Sequence, residues 1–273
     1  AFEGCSSLAS INIPGSVATI GDRAFYGCSS LASIDIPSSV TTIGEHAFSN
    51  CIRLTSVDMT GSSVTTIGDG AFSVCSRLTS VDMTGSSVTT IGDGAFYACS
   101  SLTSIDLPGS LTTIWKRAFA YCSSLALIDL PSSLTTIDEE AFYGCSRLVS
   151  VYCRATTPPS AEYDIFPDET LQGTLYVPIG TKADYEAVDP WRNFWTIEET
   201  DFSTGVNNAL RDDGITVVAN GNSIVVIGDN AGRIEVYCVN GQCVYSGTDT
   251  VIDNLAKGVY VVKVDNKTFK VLL

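Results

Sequence analysis

A repeat solenoid of short β-strands and helical turns, followed by a small antiparallel β-sandwich, is the fold class this sequence predicts, and three observations carry it. Cys5, Cys28, Cys51, Cys75, Cys99, Cys122 and Cys145 recur at intervals of 23 or 24 residues, each three residues after the Phe of an Ala-Phe pair. Within each interval apolar residues return at fixed offsets, as in Leu102-Thr103-Ser104-Ile105-Asp106-Leu107. Beyond Asn208 this period gives way to β-branched runs separated by Asn/Gly/Asp turns. A period of that length marks stacked supersecondary units, each able to bury its apolar side only against its neighbours.

The first element of a coil is a strand with Leu102, Ile105 and Leu107 inward and the intervening residues outward, ended by Pro108, which cannot continue the ladder. The second is Leu111-Thr112-Thr113-Ile114, a short extended stretch rich in β-branched Thr. Gly or Asp then turns the chain in most coils. Ala118-Phe119 with Cys122 and Leu125 at helical spacing predicts one helical turn that drops Phe and Cys into the core. Phe2, Phe25, Phe48, Phe72, Phe96, Phe119 and Phe142 then form an aromatic spine beside a ladder of reduced, buried thiols; disulfides between coils are the alternative. Arg53–Phe72 and Arg77–Phe96 are identical, and in them Thr-Gly replaces the Pro turn, placing a twenty-fourth residue in a surface loop.

About seven such coils occupy residues 1–153. The pattern GxxAFxxCSSLTSIxLPxSLTTI resembles the BspA-like, or Treponema-type, leucine-rich repeats of bacterial surface proteins. The stretch Ala155-Thr156-Thr157-Pro158-Pro159, with Leu175-Tyr176-Val177-Pro178, Lys182-Ala183-Asp184-Tyr185 and Pro190-Trp191-Arg192-Asn193-Phe194, resembles that family's usual ending. Residues 154–200 are therefore expected to cap the solenoid, with Phe166, Tyr176, Tyr185, Trp191, Phe194 and Trp195 covering its last apolar layer. The resemblance implies a right-handed solenoid and adhesion to host matrix proteins and cells, with a secreted or outer-membrane-attached location. The first residues already lie inside a repeat, so the natural chain is expected to begin upstream, with further repeats and any signal or anchor there.

A polar stretch around Ser203-Thr204-Gly205 reads as a linker. Residues 206–273 follow as strands Ile215–Val218, Ser223–Ile227, Arg233–Cys238, Cys243–Ser246, Thr250–Ile252, Gly258–Val264 and Thr268–Leu272, with turns at 220–222, 229–232, 240–241 and 265–266. Val239-Asn240-Gly241-Gln242, Leu255–Val262 and Lys270–Leu273 make this part similar to the C-terminal sorting domains of secreted Bacteroidetes proteins, from which Cys238 and Cys243 are departures. Those two Cys flank an Asn-Gly hairpin signal, which places them opposite each other as a disulfide or as a packed thiol pair.

Thirty acidic residues oppose fifteen Lys and Arg, a formal charge of −15. That field repels phosphate backbones, and no basic cluster overrides it, so nucleic acid is excluded as a partner. No apolar run is long enough to span a bilayer. The acids that recur with the period are Asp35, Asp58, Asp82, Asp106 and Asp129, an outward row preceded by Asn12 and flanked by Ser33, Ser56, Ser80 and Ser104. Adjacent carboxylates at coil spacing repel by about 1 kcal/mol in water and about 3 to 4 at an effective dielectric near 20. Water and salt, a weakly held cation or a basic partner can relieve that. A flat ladder offers too few oxygens for a tight calcium site, and no cofactor is expected.

Carboxylates at this spacing also meet the distance for retaining glycoside hydrolysis. Every member of the row has the same setting, however, so nothing separates an acid from a nucleophile. His46 is the sole histidine and reads as an exposed loop residue. One coil departs from the rest at Trp115-Lys116-Arg117, where others carry Gly or Asp and acids. Trp and Arg are hot-spot residues, so this is either a partner contact or a local ring-over-coil packing with the cations paired to Asp93 or Glu139. The expected function is non-enzymatic binding of a host extracellular or surface protein, matrix component or glycan. The alternatives are a structural spacer of the cell surface and, weakest, a glycan-acting enzyme.

Overall fold

Inward apolar residues alternate with outward polar ones in each coil, and the computed structural model shows the stack that this pattern requires. It describes residues 1–162, 164–202, 210–212, 215–220, 223–227, 232–238, 242–253, 255, 259–264 and 267–272. The chain divides into two compact units, Ala1–Glu199 and Thr200–Leu273.

In the first unit six Thr-Ile pairs, the first Thr19–Ile20, form a parallel sheet that Ser160–Ala161 completes as the seventh strand. The strands Ser33–Asp35, Ser56–Asp58, Ser80–Asp82 and Ser104–Asp106 form a second parallel wall in which Ser pairs with Ser and Asp with Asp. A further sheet of Leu127–Leu130, Ser150–Cys153, Thr174–Pro178 and Thr196–Thr200 follows in chain order.

The helical turn expected at Ala-Phe…Cys is absent, and the backbone hydrogen bonds give the reason. In the second coil Arg23, Phe25 and Gly27 donate to the carbonyls of Glu45, Ala47 and Ser49 in the next coil, at 2.8, 2.7 and 2.8 Å. Ala24, Tyr26 and Cys28 close local bonds to Gly21, Arg23 and Phe25. A helix would consume every N–H internally, whereas this segment spends alternate ones on its neighbour and becomes a third ladder. Left-handed backbone at Arg23 (φ 52°) and Gly27 (φ 69°) turns the intervening groups outward. Equivalent left-handed pairs recur in later coils, including Gly70 with Val74 and Arg117 with Tyr121.

Inside the three walls the phenylalanines stack with centroids 5.1 to 5.3 Å apart from Phe2 to Phe142, and Phe166 extends the column at 5.4 Å. Each buried cysteine of the repeat row, from Cys28 to Cys145, donates its thiol to the Phe carbonyl of the preceding coil, as Cys99 does to Phe72 at 3.2 Å. Trp191 and Phe194 close the column edge-on against Phe166. Tyr185 is fully buried and donates to the Ala155 carbonyl at 2.7 Å. Trp195, expected among the cap residues, is instead 76% exposed.

The second unit contains two four-stranded antiparallel sheets. One holds Leu210–Asp212, Ile215–Asn220, Ser223–Ile227 and Val251–Ile252; the other holds Cys243–Gly247, Ile234–Cys238, Val259–Val264 and Lys267–Leu272. Val217, Ile224, Val226, Ile234, Val236 and Val262 are among the residues of its buried core. The linker around 203–208 and the turns at 221–222, 229–231, 240–241 and 265–266 lie outside the described residues.

Candidate interaction surface

The strand wall sets Asp35 opposite Asp58, Asp58 opposite Asp82 and Asp82 opposite Asp106, so four carboxylate-bearing residues stand in register on consecutive coils. Asp58 and Asp82 each accept the N–H two residues ahead, from Thr60 and Thr84, both at 2.8 Å. Asn makes the same short turn, so the backbone does not demand the charge. Asp129 differs from its predecessors. Its two oxygens receive Nε and a terminal nitrogen of Arg154, each at 2.7 Å, and its strand neighbour is Tyr152. The acidic row therefore ends in a bidentate ion pair that the sequence reading missed, since Arg154 lies just past the last repeat.

A second acidic column follows the Thr-Ile strands. Asp22 accepts the N–H of Glu45 at 2.8 Å, and Asp69 that of Asp93 at 2.9 Å. Burial, together with the carboxylates of Asp69 and Asp138, pushes the Asp93 carboxyl above its usual range. Lys116 enters the wall next and pairs with Glu139 at 2.5 Å, while Arg117 pairs with Glu140. Both cations of the divergent coil are thus matched by the following coil, and Trp115 remains 43% exposed.

On the turn wall, Tyr97, Tyr121 and Tyr143 meet edge to face, at 5.4 Å and 76° and at 5.5 Å and 84°. Tyr121 and Tyr143 are 44% and 46% exposed. The signal for this group was present in the sequence but displaced: Tyr97 and Tyr143 follow their Phe directly, whereas Ala120 intervenes before Tyr121. Column alignment alone hides it.

His46 lies in a turn with its side chain 40% exposed, and one ring nitrogen faces inward. Its Nδ1 has no hydrogen-bond partner and lies where a Cβ on Gly70 would stand, 2.2 Å away. Burial pushes the Cys51, Cys99 and Cys145 thiols up to about 12, which makes them inert packing groups. The thiols of Cys238 and Cys243 are both free. The register shifts after Val236, so Tyr237, not Cys238, stands opposite Cys243, and the expected facing of the two sulfurs is lost. Among the described residues no group of three or more His, Cys, Asp or Glu is placed to hold a metal ion, and no helix is long and apolar enough to cross a membrane.

Residues 1–87 and 80–171 match the family model of the BspA type leucine rich repeat region, in six copies. A leucine-rich repeat protein from Bacteroides ovatus is 26% identical over 73% of this chain and 57% of its own, with a TM-score of 0.54. One from Eubacterium ventriosum is 39% identical over 50% of this chain and 36% of its own, with a TM-score of 0.48. The leucine-rich repeat protein of T. pallidum is 25% identical over 70% and 69%, with a TM-score of 0.37. The chain thus spans little more than half of the Bacteroides protein and about a third of the Eubacterium one. No curated protein matches it significantly.

Proposed function

We propose that this chain, which belongs to the BspA-type leucine-rich repeat family, is a non-enzymatic recognition module of a secreted or surface-attached bacterial protein, and that its strand wall binds a basic host or matrix protein. The observation that carries this reading is the in-register column Asp35, Asp58, Asp82 and Asp106. The core dictates the inward Ile or Val of each strand, and the short turn after Asp58 and Asp82 is available to Asn. A cationic partner turns the repulsion of about 1 kcal/mol per adjacent pair into attraction and speeds encounter. Asp35, Asp58, Asp82 and Asp106 share one strand setting and Asp129 is tied up by Arg154, so the row offers no pair with one acid in an apolar pocket beside an ionised neighbour, as acid and nucleophile roles require.

A second reading, a spacer of the cell surface, is favoured by the identity of Arg53–Phe72 and Arg77–Phe96, because duplicated coils lengthen a rod without creating a unique site. The two separate cleanly by experiment. A panel of immobilised extracellular-matrix proteins, basic and acidic, is probed with the protein at 50 and 150 mM salt; saturable, salt-weakened binding to the basic members supports recognition. Absence of binding at both, with reversible end-to-end association in sedimentation, supports the spacer. For residues 200–273 we propose an export or anchoring role, tested by whether their removal leaves the chain inside a secreting host.

A further inference from the structure

The turn wall carries a feature that neither the fold nor the acidic row requires. Tyr97, Tyr121 and Tyr143 occupy three successive coils, whereas the two preceding coils have Ser49 and Ser73 after their Phe, buried and hydrogen-bonded to each other at 2.8 Å. Tyr97 and Tyr143 thus stand where those two coils have small polar residues and where only Tyr26 among the earlier coils is aromatic, and Tyr121, one place further on, joins them into a group. It is also pre-ordered. Each ring is held by an edge-to-face contact, and Tyr121 lies over Gly144, where a Cβ would stand 2.7 Å from its ring. Tyr121 itself adopts left-handed backbone, φ 62°, which costs a non-glycine residue stability and directs its ring outward between the other two.

The charges around the rings select among ligands. Arg117 reaches Glu140 in the adjacent coil, and the same guanidinium and carboxylate both act electrostatically on Tyr121. The pair cancels in net charge while offering donors and acceptors side by side. A cationic protein gains more on the acidic column, and a polyanion is repelled by the chain as a whole. An uncharged, hydroxyl-rich ligand with apolar ring faces is favoured here by stacking and hydrogen bonding without a Coulombic cost. The tyrosine rings are 5.4 and 5.5 Å apart, and consecutive rings are nearly perpendicular, so alternate rings, not all three, can turn a face to one ligand while the ring between offers its edge. Each step is close to the length of one pyranose unit in an extended linear chain, so Tyr97 and Tyr143 fit sugars two units apart.

We propose that Tyr97, Tyr121 and Tyr143, with Arg117 and Glu140, form a binding site for a linear neutral polysaccharide lying along the solenoid axis. The site occupies a different wall from the acidic row, so either reading can fail without the other.

The test is calorimetric titration of the whole chain with cellohexaose, xylohexaose and mannohexaose. Saturable binding of at least one is expected, weakened about tenfold or more in the double variant Tyr97→Ser/Tyr143→Ser and unchanged in Asp58→Asn/Asp82→Asn. Ser at these positions is what the coils at 49 and 73 already tolerate, and thermal midpoints verify folding. Arg117→Gly is a second variant that the fold accepts, because Gly70 and Gly94 hold the same left-handed position at φ 59° and 55°; it too weakens binding. Absence of binding to all three sugars overturns the proposal, as does wild-type affinity in the Ser variant. So does finding that the Ser variant loses a protein partner and no sugar.

Discussion

Replacing Phe72 by Ala removes one ring from the middle of the aromatic column, and its cost follows from what surrounds it. Phe72 has no exposed surface and lies between Phe48 at 5.2 Å and Phe96 at 5.3 Å, within 3° and 4° of parallel. Its N–H donates to Ala95 at 2.7 Å, and its carbonyl accepts both the Cys75 N–H and the Cys99 thiol. Those bonds hold the backbone, so the neighbours cannot collapse into the space, and the loss belongs at the upper end of the 3 to 5 kcal/mol range, about 4 to 5 kcal/mol. Phe2, by contrast, is 39% exposed and has one stacking partner, so Phe2→Ala costs about 1 to 2 kcal/mol. Urea unfolding followed by far-ultraviolet circular dichroism reads both. A Phe72→Ala cost no greater than that of Phe2→Ala refutes the idea that the column is a tightly held core.

The buried thiols make stability depend on alkaline pH. Their folded pKa is raised, to about 12 for Cys51, Cys99 and Cys145, so the contribution is complete below the unfolded value near 9 and is lost as pH rises from there toward 12. The slope is about 1.4 kcal/mol per unit for each cysteine, and a urea midpoint equal at pH 8 and 10.5 contradicts it. In the native state at pH 8 a thiol reagent is expected to modify Cys5 and Cys243 rapidly and the six-residue row from Cys28 to Cys145 only on unfolding, which mass spectrometry resolves. Val74 is a β-branched residue at φ 59°, and Asn50 holds the same position at φ 61° with its side-chain nitrogen 3.1 Å from Ser49. Since Ser73 precedes Val74, Val74→Asn is expected to gain about 1 kcal/mol, and a lowered thermal midpoint would count against left-handed strain there.

What the sequence displayed was whatever repeats. The inward Leu, Ile, Phe and Cys of each coil, the Asp register and the six Thr-Ile steps all follow from period and alternation. In the second unit the strand runs were legible to within two residues at each end, apart from the short strand Leu210–Asp212. The Ala-Phe…Cys segment was misjudged because spacing of three and four fits both a helix and a sequence of turns, and only the destination of Arg23, Phe25 and Gly27 N–H groups decides between them. The Cys238/Cys243 facing failed for a similar reason: one extra residue in the ladder, after Val236, changes which side chains oppose. Features belonging to one or two coils were harder still. The Arg154 clasp on Asp129 and the offset Tyr121 depend on contacts 25 residues away and between successive coils, with no period to announce them.

Binding of a matrix protein by the wild-type chain and by Asp58→Asn/Asp82→Asn/Asp106→Asn, side by side at 50 and 150 mM salt, tests the recognition role most directly. Asn keeps the short turns after Asp58 and Asp82, so folding is preserved while three charges leave the wall. Saturable binding that weakens with salt and is lost in the triple variant is the predicted result. Binding of equal affinity in the two proteins contradicts the acidic wall as the recognition surface, and no binding by either contradicts recognition of such proteins altogether.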